Sequence, residues 1–244
     1  MKIDREISHP AHSLPHHKLK LEYSEVPFDC HGCKEAGIGL RYKCPLCKYE
    51  LHKACGAALP TVTHPFYKRC TFSFCYQPPD RNLRVCDACG TDILGFVYHC
   101  QCRDLDLHPC CVNLPQVLDD GNNVLYLSRS ISGPCLHCGG KGSGPGWAYK
   151  SQSKAYNLHV SCVKKLLIES WLASYFNVDK NKVRELHTKI PRLSGASMSN
   201  SRAKSDNMKK FLQVAGGAVQ LVVSAILGDP TAIIAGVLRG FISS

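Results

Sequence analysis

Between Cys30 and Cys55 the metal-capable side chains follow the spacing C-x2-C-x10-C-x2-C-x4-H-x2-C, formed by Cys30, Cys33, Cys44, Cys47, His52 and Cys55. Two cysteines separated by two residues can turn both sulfurs onto one ion, because the short knuckle between them curls around it. Two such pairs plus an H-x2-C pair exceed the four positions of one tetrahedral zinc, so the stretch implies two metal sites. His17 lies thirteen residues before Cys30 and His64 nine after Cys55. Adding both gives eight donors, enough for two ions. Disulfides are the rival interpretation of so many cysteines, but histidines interleaved at fixed offsets favour metal.

The pattern recurs, and it decays as it does so. In the first repeat, His17 opens an alternating stretch, Lys18-Leu19-Lys20-Leu21, which reads as a strand. The second repeat opens with Cys70 ahead of Phe72 and Phe74, then supplies Cys86 and Cys89, Cys100 and Cys102, and His108 and Cys111. Ten residues separate Cys89 from Cys100, as they separate Cys33 from Cys44. Cys100 and Cys102 are one residue apart rather than two, and Asp119 falls near the place of His64. The third repeat keeps Cys135, Cys138, His159 and Cys162, but has Asn123 where His17 would stand and Ser151 and Lys154 where the second pair would stand. The first ligand and the second pair disappear together, while the first pair and H-x2-C survive together. That is the expected outcome if two metal sites are interleaved in each repeat.

Five sites follow. Site one takes His17, Cys44, Cys47 and His64; site two takes Cys30, Cys33, His52 and Cys55. Site three takes Cys70, Cys100, Cys102 and Asp119; site four takes Cys86, Cys89, His108 and Cys111. Site five takes Cys135, Cys138, His159 and Cys162. The expected cofactor is therefore Zn2+, about five ions per chain. Cys75 and Cys110 fall outside the scheme and read as free thiols, although Cys110 adjoins Cys111 and could substitute for it.

These repeats resemble the divergent C-one domain, the cysteine/histidine-rich zinc module common in plants and related to the diacylglycerol- and phorbol-ester-binding fingers. The resemblance covers roughly Pro15 to Cys162. It implies a small fold of two short antiparallel sheets and a brief helix around interleaved zinc sites, and a role in signalling or stress response. The lipid-binding relatives grip diacylglycerol between two loops, one of which is shortened here to ten residues in the first two repeats. Taken alone, Cys30 to Cys55 followed by Cys86 and Cys89 also fits a chromatin-reading plant homeodomain finger. That pairing leaves His17, His64 and Cys70 idle, and puts Arg84 where an aromatic residue is wanted.

Composition agrees with several small modules. The chain of 244 residues has 16 cysteines and 12 histidines. Domains of about 50 residues bury too little apolar surface to fold well alone, and bound metal makes up the difference. Met1 to Pro10 carries no apolar run, so a reducing intracellular compartment, cytoplasmic or nuclear, is expected. The formal net charge is +11. Zinc on three thiolates and one histidine carries −1, so the five sites lower the total to about +7. That mild excess does not require a nucleic-acid partner, and none is expected.

After Cys162 the texture changes. Val163 to Phe176 repeats apolar residues at helical intervals, and Leu166, Leu167, Trp171 and Phe176 are placed to pack on the third repeat. Pro191 to Asn207 reads as a basic linker. Phe211 to Leu227 and Thr231 to Ile242 are apolar, separated by Gly228-Asp229-Pro230, which ends one helix and starts another. A helical hairpin docked on protein is the expected form, and this tail is also the segment through which the chain would reach a membrane.

The expected fold class is thus small zinc-stabilised α+β modules, tandem zinc fingers followed by a C-terminal α-helical region. The expected divisions are an N-terminal tail (1–14), three zinc units (15–66, 67–120 and 121–163), an amphipathic helical segment (164–190), a basic linker (191–207) and an apolar hairpin (208–244). No phosphate-cradling loop and no paired carboxylates stand out, and each site has four protein donors, the signature of structural zinc. The expected function is a non-enzymatic zinc-binding adaptor with a protein partner in intracellular signalling. A membrane-surface or diacylglycerol-type sensor is the first alternative and a chromatin reader the second.

Overall fold

The computed structural model describes residues 4–165, apart from 81, 120–123, 132, 141–145 and 153–156. The expectations for Asn123 and Lys154, for the helices and linker after Lys165 and for Trp171 therefore lie outside the described residues. Among the described residues, no helix is long and apolar enough to cross a membrane. They fall into two compact parts, one ending at Leu114 and the other beginning at Pro115.

The first part holds two repeats of one plan. Strands β1 (Glu6–Ile7), β2 (Leu19–Asp29), β3 (Ala36–Lys43) and β4 (Glu50–His52) form one antiparallel sheet in that order, and the one-turn helix α1 (Lys53–Gly56) follows. Strands β5 (Thr61–Val62), β6 (Phe72–Cys75), β7 (Val97–Cys100) and β8 (Leu105–Leu107) form the second sheet, followed by α2 (Pro109–Val112). In the second part, β9 (Val117–Asp119), β10 (Val124–Ser128), β11 (Ala148–Ser151) and β12 (Asn157–His159) repeat the order. The fold class is as the sequence implies, small antiparallel sheets with few short helices, but each repeat builds one four-stranded sheet rather than two.

The sheets also shift the divisions. Thr61–Val62 pairs with β6, and Val117–Asp119 pairs with β10, so each short opening strand belongs to the repeat that follows it. Glu6 pairs with Lys20, so the supposed N-terminal tail is part of the first repeat. A strand of two or three residues carries almost no period of its own, which is why these were invisible in the sequence.

One tyrosine per repeat ties the opening segment down. Tyr42, Tyr98 and Tyr149 each lie two residues before a ligand position and are at most 2% exposed. Their hydroxyls donate to the carbonyls of Asp4, Leu59 and Pro115 at 2.9, 2.8 and 2.9 Å. A buried phenol needs such a partner, and here it fixes the strand entry. Tyr98→Phe should lower stability by about 1 kcal/mol, the usual net worth of one hydrogen bond, without changing metal content; thermal unfolding of the metal-loaded chain measures this.

The first two repeats share a core. Phe96 of the second is buried with Leu19, Phe28, Tyr42 and Leu51 of the first. The Phe96 N–H donates to the Gly32 carbonyl at 3.0 Å. A Cβ on Gly95 would meet that carbonyl oxygen at 2.0 Å, so only glycine permits the approach.

Candidate metal centres

The knuckles are built identically three times. After each first pair, residue 34, 90 or 139 takes a positive φ of 66, 68 or 69°. Its N–H then reaches back to the carbonyl of Cys30, Cys86 or Cys135 at 3.0, 2.7 and 2.8 Å. Glycine suits that conformation in the second and third repeats; Lys34 holds it at a steric cost. The turn aims both sulfurs to one side. The far donors come from the strand end and the one-turn helix, whose i, i+3 spacing places His52 beside Cys55 and His108 beside Cys111 on one face. Backbone amides complete the cradle: the N–H groups of His52 and His108 donate to the Cys30 and Cys86 sulfurs, each at 3.4 Å.

Among the described residues at least five groups of donor atoms come together, each with all its atoms within 4.8 Å of one another. Cys30, Cys33, His52 and Cys55 form one; Cys86, Cys89, His108 and Cys111 form another; Cys135, Cys138, His159 and Cys162 form a third. These are the expected members of sites two, four and five. The fourth group is His12, His17, Cys44 and Cys47, with His12 where His64 was expected. The fifth is Cys70, Cys100 and Cys102, the three thiols of site three, with no carboxylate among them.

The spacings are those of a tetrahedral ion. Zinc bonds of about 2.3 Å to sulfur and 2.0–2.1 Å to nitrogen give tetrahedral edges of about 3.8 Å for S–S, 3.6 Å for S–N and 3.3 Å for N–N. His52 Nδ1 lies 3.3 and 3.9 Å from the Cys33 and Cys55 sulfurs. His159 Nδ1 lies 3.4 and 3.7 Å from those of Cys138 and Cys162, and His108 Nδ1 is 3.4 Å from Cys89. In site one, His12 Nε2 and His17 Nδ1 are 3.3 Å apart, and the Cys44 and Cys47 sulfurs are 3.4 and 3.5 Å from their histidine partners. Cys102 lies 3.3 and 3.9 Å from Cys100 and Cys70, so the single-residue spacing still brings both sulfurs together.

Two expected residues need correction. His64 belongs to the second repeat, two residues after β5 and eight before β6, while the site it was assigned to is completed by His12. Asp119 sits on β9 opposite Val124, in the sheet of the third repeat. His9-Pro10 and His64-Pro65 open the segments that lead to His17 and Cys70, and the same turn follows each: the His12 and Tyr67 N–H groups donate to the His9 and His64 carbonyls at 2.8 and 2.9 Å, so His64 corresponds to His9, and Tyr67 stands where the first repeat has His12. The backbone agrees, since His16 and Arg69, each just before the ligand, both have positive φ (62 and 68°). His17 and Cys70 likewise donate their N–H groups to the carbonyls three residues back, at 3.1 and 3.0 Å.

His64 is 5% exposed, and burial lowers its pKa to about 4. Its Nδ1 accepts the Phe66 N–H at 3.2 Å, as His9 Nδ1 accepts the Ala11 N–H at 3.2 Å in the first repeat. Electrostatics in site two also suit a cation. Burial works against charge on His52, yet the Cys110 and Cys33 thiolates hold its pKa well above the ordinary value. A buried set of thiolates that stabilises a proton on its histidine will also stabilise a divalent ion.

Residues 8–56 match the family model of the C1 domain. Neither a curated protein nor a solved structure matches the chain. The C1 domain match ends one residue after Cys55. All eight donors of the first two groups, His12 included, lie inside it, and His64 lies outside. The chain is therefore a zinc-binding domain protein, with a C1 domain at its start and Cys/His clusters of the same build beyond it.

Cys86 and Cys89 belong with His108 and Cys111, so they do not extend the first repeat into a chromatin-reading finger. Arg84, at the position where such a finger wants an aromatic ring, is ion-paired to Asp80, Asp104 and Asp106. The groups differ in exposure. Site four is wholly buried, whereas Cys102 and Cys138 are exposed. A competing chelator should strip sites three and five first and site four last, because release needs local opening; the order is read by following which histidine signals shift as chelator is added.

Proposed function

We propose that the protein is a non-enzymatic, zinc-stabilised interaction protein of intracellular signalling, with five structural zinc ions and a protein partner. The observation that carries this reading is the completeness of the clusters. Sites one, two, four and five each bring together four protein donors at tetrahedral spacings, and a zinc so enclosed keeps no position for water or substrate. His64, the buried histidine of the segment that leads into Cys70, is the proposed fourth donor of site three in place of Asp119. The metals then fix small sheets whose surfaces are left to bind.

Metal analysis of the full chain tests the count. Five zinc ions per chain are expected, His64→Ala should remove one, and Asp119→Ala should remove none. Three or fewer at saturation would sink the interleaved scheme. Vesicle flotation separates the protein-binding reading from the lipid one. The adaptor reading expects no diacylglycerol-dependent flotation by a chain ending near Lys189; binding by that truncated chain would favour the lipid sensor.

A further inference from the structure

The metal-site histidines of the first two repeats differ at the ring edge that faces away from the thiols. In site two, His52 Nδ1 faces the thiols, and Nε2 lies 3.3 Å from the Ala36 carbonyl of its own repeat. In site four, His108 Nδ1 faces the Cys89 sulfur at 3.4 Å. The His108 ring is fully buried, and its Nε2 makes no hydrogen bond among the described residues. Asp92 stands where the first repeat has Ala36, three residues after the second cysteine of the knuckle, but its carbonyl does not serve the ring.

The group that faces this nitrogen comes from the first repeat. Glu35 Oε1 lies 3.8 Å from His108 Nε2. The same oxygen is 3.5 Å from the Thr91 hydroxyl, which is itself 3.1 Å from the Cys89 sulfur. Glu35, Thr91 and Gly140 are counterparts, each two residues after its knuckle. Their carbonyls accept the N–H groups of Cys30, Cys86 and Cys135 at 3.1, 2.9 and 2.9 Å. One backbone position thus serves all three repeats, but only the first places a carboxylate there. The bond from the Phe96 N–H to the Gly32 carbonyl, three residues before Glu35, holds the two repeats together beside it.

We propose that Glu35 is the positioning carboxylate of site four, supplied across the repeat boundary, so that site four binds metal at full strength only when the first repeat is docked. A metal-bound histidine gives its other ring N–H to a carboxylate, a carbonyl or water, which fixes the ring and makes it a better donor. With Nδ1 on the metal, the His108 proton sits on Nε2, where the Glu35 oxygen can accept it. The coupling is reciprocal: whatever the docked first repeat adds to metal binding at site four, the bound metal adds to docking. Glu35 touches no metal itself and acts through the ring of His108.

This inference rests on site four being a zinc site, and the experiment separates the two claims. Zinc is withdrawn from the full chain by a competing chelator, and the Cβ signals of Cys33 and Cys86 report the occupancy of sites two and four. The wild type is compared with Glu35→Ala, Glu35→Gln, His108→Cys and the Glu35→Ala/His108→Cys double variant. Glu35→Ala is expected to weaken zinc binding at site four by about 10–100-fold, the usual effect of losing such a partner, and to leave site two unchanged. Glu35→Gln keeps the shape and an acceptor oxygen, and should weaken it less. In His108→Cys the ring is gone and a fourth thiolate serves the metal, so adding Glu35→Ala should change nothing further at site four. Glu35 sits in the knuckle of site two, so a merely local role predicts the opposite pattern. If Glu35→Ala weakens site two as much as site four, or costs site four as much without the His108 ring as with it, the inference is overturned. If the Cys86 signal of the wild type does not respond to zinc, the zinc assignment of site four fails, and the inference with it.

Discussion

Removing zinc is expected to unfold the repeats rather than loosen them. Cys30, Cys33, Cys44 and Cys55 lie in the same buried cluster as Leu19, Tyr42 and Leu51, so the metal donors are part of the core and not appended to it. Structural zinc contributes on the order of 10–16 kcal/mol of apparent binding free energy, while a whole domain is stable by about 5–15 kcal/mol. Loss of even one ion per repeat therefore exceeds what the small apolar core can retain. A strong chelator should abolish the far-ultraviolet signature of the sheets and deprotect the amides of β2, β3, β6 and β7 together, and zinc should restore both. Protected strands in verified metal-free protein would sink this expectation.

Much of the architecture was written in the spacing, because metal ligation is a stricter constraint than hydrophobic patterning. A thiol displaced by one residue points the wrong way, so Cys30/Cys33, Cys86/Cys89 and Cys135/Cys138 could be assigned from their intervals alone. The interleaving could be inferred from what the third repeat lacks, and Ser151 is buried at the end of β11, as Cys100 ends β7 and Cys44 follows the last residue of β3. His12 was passed over and His64 misplaced for a reason of the same kind. Both lie near a first or last ligand, and counting donors cannot tell which repeat owns a histidine between two of them. Sheet pairing decides it, through β1 and β5, strands too short to leave a pattern.

The second large expected effect concerns the third repeat, which among the described residues has one four-donor group where the first has two. The sequence suggested that a helix with Trp171 would brace it, and that residue lies beyond those described. Within the described residues another tryptophan is positioned for the task. Trp147 is 1% exposed, at the position of Phe96 in the second repeat, two residues before the anchoring tyrosine. Its carbonyl accepts the Val160 N–H at 3.0 Å, joining the start of β11 to the helical turn that carries Cys162. Leu118, Leu125, Leu127, Leu158 and Val163 are buried in the same part of the chain, an apolar set large for one small sheet. A zinc clamp acts through a few strong bonds and tolerates a thin core; a repeat that has lost one must rely on side-chain packing. Trp147→Ala should therefore cost about 3–5 kcal/mol, the range for large aromatic truncations, nearly all of it within the third repeat. Amide exchange should rise across β10, β11 and β12, and the Cys135–Cys162 site should yield its zinc to chelator sooner, while β2 and β3 of the first repeat stay protected. An equal rise in both parts of the chain, or a change below 1 kcal/mol, would show that the single metal and not the tryptophan holds this repeat together.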